Sequence, residues 1–218
     1  MFIAPLAFAL GWVIQASNTS SSLRGLSVVS SQVVWASGTG GAVLRTVDSG
    51  SHWIATVVPG AASLDFRDIE AIDDRTAYVM SSGEATNSRV YKTIDAGQRW
   101  TLLFTNPDPK GFFDAIAFWD RNNGILIGDP VDGHFSVFTT VDGGASWSRR
   151  NAPASLPNEA LFASSGTCLV IGGLKDAYFG TGGSNGARVF HTTDRGQSWN
   201  WTQTPLARKR DNLRHLLP

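Results

Sequence analysis

From about residue 21 to 204 the chain is a succession of short runs in which apolar and polar residues alternate, each cut off by a cluster of Gly, Asp, Asn or Ser. Runs of this length and period suit β-strands, whereas a helix would repeat its apolar residues every three to four positions. In the first unit the runs are Leu23 to Val29, Val33 to Ser37, Ala42 to Thr46 and Trp53 to Val58. The scheme recurs from Phe66 to Phe104, from Phe113 to Arg149 and from about Glu159 to Gln203, with turns at Asp73-Asp74, Arg121-Asn122-Asn123-Gly124 and Ser164-Ser165-Gly166. Only the last dozen residues admit a helical period.

One phrase marks the same point in every unit. T-x-D-x-G-x-x-W occurs at Thr46 to Trp53, Thr93 to Trp100, Thr140 to Trp147 and Thr192 to Trp199. Its aspartates, at 48, 95, 142 and 194, stand 47, 47 and 52 residues apart, which is the length of a four-stranded blade. The predicted fold is all-β, a β-propeller of four-stranded antiparallel blades with four blades present, at about 21–58, 65–105, 112–150 and 158–204 within a region 12–205.

The phrase has a physical logic as a hairpin between third and fourth strands. Asp48, Asp95, Asp142 and Asp194 supply carboxylates that accept hydrogen bonds from nearby backbone N–H groups. Gly50, Gly97, Gly144 and Gly196 take positive φ at little cost, and Trp53, Trp100, Trp147 and Trp199 bury a large ring beside the turn. These four aspartates are expected to be structural. A calcium site needs several ligands converging on one point, and the phrase provides one per blade.

On these residues the sequence resembles the Asp-box, or BNR-repeat, β-propellers, a superfamily that includes sialidases, certain endoglucanases, sortilin-type receptors and photosystem II stability/assembly factors. Leu23-Arg24-Gly25-Leu26, Val34-Trp35-Ala36-Ser37-Gly38 and the Thr-rich strand running into each box look most like the assembly-factor branch and its bacterial relatives. The resemblance covers about residues 12 to 205. It implies about seven blades, export from the cytoplasm to an extracytoplasmic space, and non-enzymatic holding of other proteins.

At that blade length the 218 residues hold four blades and a fraction of a fifth. Trp12-Val13-Ile14-Gln15 reads as a fourth strand with no first three before it, and Ala207 to Pro218, with Arg208-Lys209-Arg210, reads as an irregular basic tail over 206–218. The expectation is therefore the N-terminal part of a larger propeller, whose open sheet edges missing blades or another chain would cover. A four-bladed propeller is the other reading. Residues 1–11 form an apolar segment, with Ala7-Phe8-Ala9 resembling a signal cleavage site but lacking a basic n-region, hence a possible signal remnant.

Composition narrows the partners. Eighteen basic and eighteen acidic residues give zero formal net charge, which points away from nucleic acid, and no run reaches the roughly 20 apolar residues of a membrane span. Cys168 stands alone among apolar residues, so no internal disulfide exists and the thiol reads as a small hydrophobe. His52, His134, His191 and His215 have no ligand spacing with one another or with Cys168. No metal or cofactor is expected.

Propeller ligands bind at the channel, which innermost strands line. Aligning these strands on Leu26, Ile69 and Ile116 puts Arg24, Arg67 and Asp114 at one position in three successive blades, with Glu159 within one residue of it in the fourth. Two guanidiniums and a carboxylate there form the candidate ligand site; blade-to-blade salt bridges are the structural alternative. The favoured function is a scaffold recognising a protein or glycan partner. The rival is a fragment of a glycoside hydrolase, for which Asp68 and Asp114 would be the carboxylate pair. Phe66-Arg67-Asp68-Ile69 only faintly matches the sialidase Phe-Arg-Ile-Pro phrase, and Tyr78, Tyr91 and Tyr178 are the only tyrosines.

Other motifs are expected to be turns. Gly38-Thr39-Gly40-Gly41 and Gly180-Thr181-Gly182-Gly183 look like phosphate loops but run into strands rather than helix N-termini. Asp129-Pro130-Val131-Asp132-Gly133 is read the same way, and Asn18-Thr19-Ser20 and Asn200-Trp201-Thr202 match the glycosylation pattern without further support.

Overall fold

A computed structural model describes residues 13–164, 166–184 and 186–205. Blade one contains β1 (Leu23–Val28), β2 (Val34–Gly38), β3 (Ala42–Thr46) and β4 (Ile54–Val57). Blade two contains β5 (Phe66–Ala71), β6 (Ala77–Ser81), β7 (Arg89–Thr93) and β8 (Thr101–Thr105). Blade three follows with β9 (Phe113–Phe118), β10 (Gly124–Val131), β11 (His134–Thr140) and β12 (Ser148–Arg149). Each is a four-stranded antiparallel meander in chain order, so the repeat predicted from the boxes is the repeat that forms.

Blade four departs from its siblings. After β13 (Glu159–Ala160) the chain leaves the sheet and returns as β14 (Leu169–Gly172), which pairs with β15 (Asp176–Gly180). Then β16 (Gly182–Gly183) pairs back with β13, and β17 (Arg188–Thr192) and β18 (Asn200–Gln203) complete the blade. Gly182-Gly183 is therefore a strand and not the turn expected; a Cβ on Gly183 would sit 2.3 Å from the Asn158 carbonyl. The excursion at 161–168 breaks the innermost strand and accompanies the longer 52-residue spacing. Its expected turn residue Ser165 lies outside the described residues, as do 1–12, the basic tail and His215.

Stacking of blades explains the burial pattern. Blades two and three are covered on both faces, so β6 and β9 are buried at every position and lose the two-residue alternation of a half-exposed strand. In β15 and β17 alternation survives. The interfaces are aromatic: Tyr78 stacks on Phe118 at 4.0 Å between ring centres, and Phe135 meets Phe179 and Phe190 edge-on at 5.5 and 5.4 Å.

The four boxes share one hydrogen-bond plan. In blade three, Thr140 Oγ1 donates to Asp142 Oδ1 at 2.7 Å and accepts from Gly144 N at 2.9 Å, while Ser146 N donates to Asp142 Oδ1 at 2.9 Å. The glycines adopt φ of 81 to 86°, and the residue before each is also left-handed, including Ser49, Ala96 and Arg195. Hydrogen bonds from the Ser146 hydroxyl and N–H hold the Asp142 carboxyl down at about 2. His52 N–H and ring, with Thr46, do the same for Asp48.

The segment before β1 forms no strand in its described part, contrary to the reading of Trp12 to Gln15. Gln15 instead braces the first box, its Oε1 accepting from Trp53 Nε1 at 3.0 Å and its Nε2 donating to the Ser49 carbonyl at 3.2 Å. Asn18 Nδ2 also donates to the Trp53 carbonyl at 3.0 Å. Asp132 and Gly133 are the two left-handed residues of the tight β10–β11 hairpin, as their sequence suggests. No helix among the described residues is long and apolar enough to cross a membrane.

Candidate binding site at the channel mouth

Register decides which residues meet at the channel. In β1, β5 and β9 the second residue falls at a break in pairing with the next strand: between Leu23 and Gly25, between Phe66 and Asp68, and beside Phe113. Those residues are Arg24, Arg67 and Asp114. A bulge turns a side chain out of the regular in-and-out alternation and re-aims it. All three sit where the innermost strands begin, at the end of the blades opposite the box turns, since Leu23 pairs with Gly38 while the box follows Thr46 at the far end of β3.

Arg24 and Arg67 converge on a residue the sequence reading passed over. Asp65 precedes β5, and its carboxylate lies 3.2 Å from Arg24 Nε and accepts from Arg67 Nε at 2.8 Å. Arg67 also donates to the Ala163 carbonyl at 3.4 Å, and its guanidinium lies 5.8 Å from the centre of the Phe112 ring. The three charged side chains are 34%, 30% and 23% exposed, for Arg24, Arg67 and Asp65 respectively. Asp65 lies outside strand periodicity, and its only sequence signal is being an acidic residue two before Arg67.

Asp114 lies behind this triad and is buried, with Oδ2 making no hydrogen bond. Burial first, then the nearby Asp129 carboxylate, push its pKa up to about 8, against the opposing pull of Arg67. Raised in this way, Asp114 offsets less of the arginine charge than an exposed aspartate would.

Glu159 stands apart from this group. The one-residue offset matters, because β13 pairs Glu159 with Gly183 at the position of Leu23 and Phe113 in the other blades. Its carboxylate forms a buried ion pair with Arg188, whose Nε donates at 2.8 Å, and accepts from Thr181 Oγ1 at 2.5 Å. Burial pushes its pKa up, but the Arg188 hydrogen bonds outweigh that and hold it below the ordinary range. Glu159 is thus placed as an internal clamp of blade four, and not at the mouth beside Arg24 and Arg67.

Further along the axis is a cleft of 340 Å³ lined by Leu26, Asp68, Glu70, Ile116, Phe118 and Leu169, among others. Asp68 accepts from Ile69 N and Ile116 N, both at 2.8 Å, so its two oxygens tie adjacent blades together. Burial raises it to about 7, and burial together with Asp68 raises Glu70 to about 8. Cys168 is a free thiol pushed up to about 12, by burial first and then by Asp114. Among the described residues no group of His, Cys, Asp and Glu is arranged to hold a metal ion.

No protein-family model matches the sequence, and no curated protein matches it. Solved structures do. A structure described as YCF48 bound to D1 peptide superposes with a TM-score of 0.62 at 16% identity, over 87% of this chain and 55% of that one. YCF48 from Cyanidioschyzon merolae gives 0.61 at 17% identity, over 85% and 56%. A GH74 xyloglucanase from Xanthomonas campestris gives 0.55 at 17%, over 78% and 27%. The chain thus spans about half the length of the two YCF48 structures. Likeness at these identities shows the fold, a β-propeller, and not an activity.

Proposed function

We propose that this protein is a non-enzymatic scaffold that binds a segment of another protein at the channel mouth, with Arg24 and Arg67 receiving an acidic side chain or carboxylate of the partner. The observation that carries this reading is the sharing of Asp65 by two arginines from adjacent blades, beside the buried Asp114. Each guanidinium keeps N–H donors beyond the one aimed at Asp65, in planar forks suited to a carboxylate. Phe112 borders the charges with apolar surface. The fold shared with a YCF48 captured with a peptide supports the same direction.

A glycoside hydrolase of the GH74 kind is the competing class. It needs a carboxylic acid able to reach the leaving oxygen and a second carboxylate across the sugar. Asp114 is sealed and Asp68 is consumed by two backbone N–H groups, so the raised pKa values of this pair reflect burial in the blade stack.

The test is binding to an array of acidic and basic peptides, read by fluorescence anisotropy. Acidic peptides bind, and Arg24→Ala with Arg67→Ala weakens them by roughly ten- to a hundredfold while the circular dichroism spectrum is unchanged. Equal binding by the double variant removes these arginines from the site. Turnover of chromogenic glycosides that disappears in Asp114→Asn overturns the non-enzymatic reading.

A further inference from the structure

A repeat makes departures from itself visible, and blade two departs at its box turn. Three positions flank each turn. The first lies between the first and second strands and offers its carbonyl to a left-handed box residue; the second precedes the box threonine; the third is four residues after the box aspartate. Blade one has Gln32, Arg45 and His52 there, blade three Asn122, Thr139 and Ser146, and blade four Lys175, His191 and Ser198. In blade two the three are Arg75, Lys92 and Arg99, the one set of four in which every member is a lysine or arginine.

The third position closes the turn in the other blades. His52 Nδ1 lies 2.6 Å from Asp48 Oδ2, and the Ser146 and Ser198 hydroxyls donate to Oδ2 of Asp142 and Asp194 at 2.6 and 2.5 Å. Arg99 gives Asp95 its backbone N–H at 2.8 Å, but among the described residues no side chain donates to Asp95 Oδ2. Blade two has exchanged a turn hydrogen bond for an exposed guanidinium.

Arg75, Lys92 and Arg99 line one groove of 530 Å³, together with Ile94, Leu103 and the single carboxylate of Asp95. The groove sits at the box-turn end of blade two, away from the channel mouth, in a blade with neighbours on both sides. Lys92 is fixed in place: its Nζ donates to the Gly143 carbonyl of blade three at 3.0 Å and stands 4.9 Å from the centre of the Tyr78 ring, leaving two N–H donors for a ligand. Nearby carboxylates are engaged elsewhere. Asp73 pairs with Arg121 and Asp74 with Arg45, while Asp142, whose charge acts on Lys92, is held by Thr140 and Ser146. Among the described residues neither Arg75 nor Arg99 lies within ion-pair distance of a carboxylate.

We propose that this groove binds a small organic phosphate monoester. Three cations against one carboxylate suit a dianion, and two guanidinium forks with an ammonium supply donors for the phosphate oxygens. Ile94, which is 68% exposed, and Leu103 give the organic part an apolar wall. A bare phosphate would leave most of the groove to water. The site is separate from the channel mouth and does not rest on the peptide reading there.

Isothermal titration calorimetry at low ionic strength, with glucose 6-phosphate, glucose 6-sulfate and inorganic phosphate, tests the assignment. Glucose 6-phosphate binds most tightly; the singly charged sulfate ester and the bare ion bind more weakly. Arg99→Ser weakens glucose 6-phosphate by at least about tenfold. Its urea midpoint equals or exceeds that of the wild type, because a serine there closes on Asp95 as Ser146 closes on Asp142. Arg75→Ala weakens binding similarly with an unchanged far-ultraviolet dichroism spectrum, and Arg24→Ala with Arg67→Ala leaves it as in the wild type. No binding, equal affinity for the phosphate and sulfate esters or for the ester and inorganic phosphate, or binding indifferent to both Arg99→Ser and Arg75→Ala overturns the inference. So does loss of binding in the channel-mouth double variant.

Discussion

Carboxylates in this molecule fall into two populations with opposite responses to pH. The box aspartates Asp48 and Asp142 are held at about 2 by the hydrogen bonds of their own turns, whereas Asp68, Glu70 and Asp114 are raised to about 7, 8 and 8 by burial between innermost strands. For the second group the folded state retains protons that the unfolded chain has released above about pH 4. Their stabilisation is full below that point and is lost as pH rises toward their folded values. Depressed groups act the other way: their contribution is full above the unfolded value and falls away as pH drops toward about 2. Stability is therefore expected to peak in mild acid and to fall between about pH 5 and pH 8, by up to about 1.4 kcal/mol per pH unit for each raised group that titrates. Urea unfolding at a series of pH values measures this slope. Asp114→Asn flattens it, and an identical slope in the variant removes Asp114 as a source.

Blades are held to one another by a few large side chains, and the sequence disclosed these unevenly. Trp35 is 1% exposed, donates from Nε1 to the Asp73 carbonyl at 3.1 Å and meets Trp100 edge-on with ring centres 6.5 Å apart. Trp35→Ala leaves a cavity between blades one and two and is expected to cost about 3 to 5 kcal/mol in urea unfolding, with Trp35→Phe costing less; a loss below 1 kcal/mol would show that this interface is redundant. The box phrase made the blade count legible because its Thr, Asp and Gly hydrogen-bond within the turn itself and so recur as a fixed local phrase in every blade. Arg24 and Arg67 were legible by aligning innermost strands, a periodic signal. What escaped was non-periodic. Asp65 lies in a connecting segment, Glu159 is shifted by the excursion at 161–168, and Gln15 imitates a strand residue while serving as a brace. Each depends on contacts between distant stretches of chain, which local pattern does not encode.

At the scale of the whole molecule, stacked blades make the protein quasi-one-dimensional: each blade gains stability from its own sheet and from its immediate neighbours. Blades two and three have neighbours on both sides. Blade four has a covered face built on Phe179 and Phe190 and an open one built on Val170, Tyr178 and Val189, and β18 is exposed at all four positions. Opening of blade four alone therefore breaks one interface, whereas opening of blade two breaks two. Hydrogen exchange followed by mass spectrometry should find the slowest amides in β6, β10 and β11, close to the global unfolding limit, and faster exchange through β14, β15 and β18. Equal protection across the four sheets would instead mean that the array opens only as a unit.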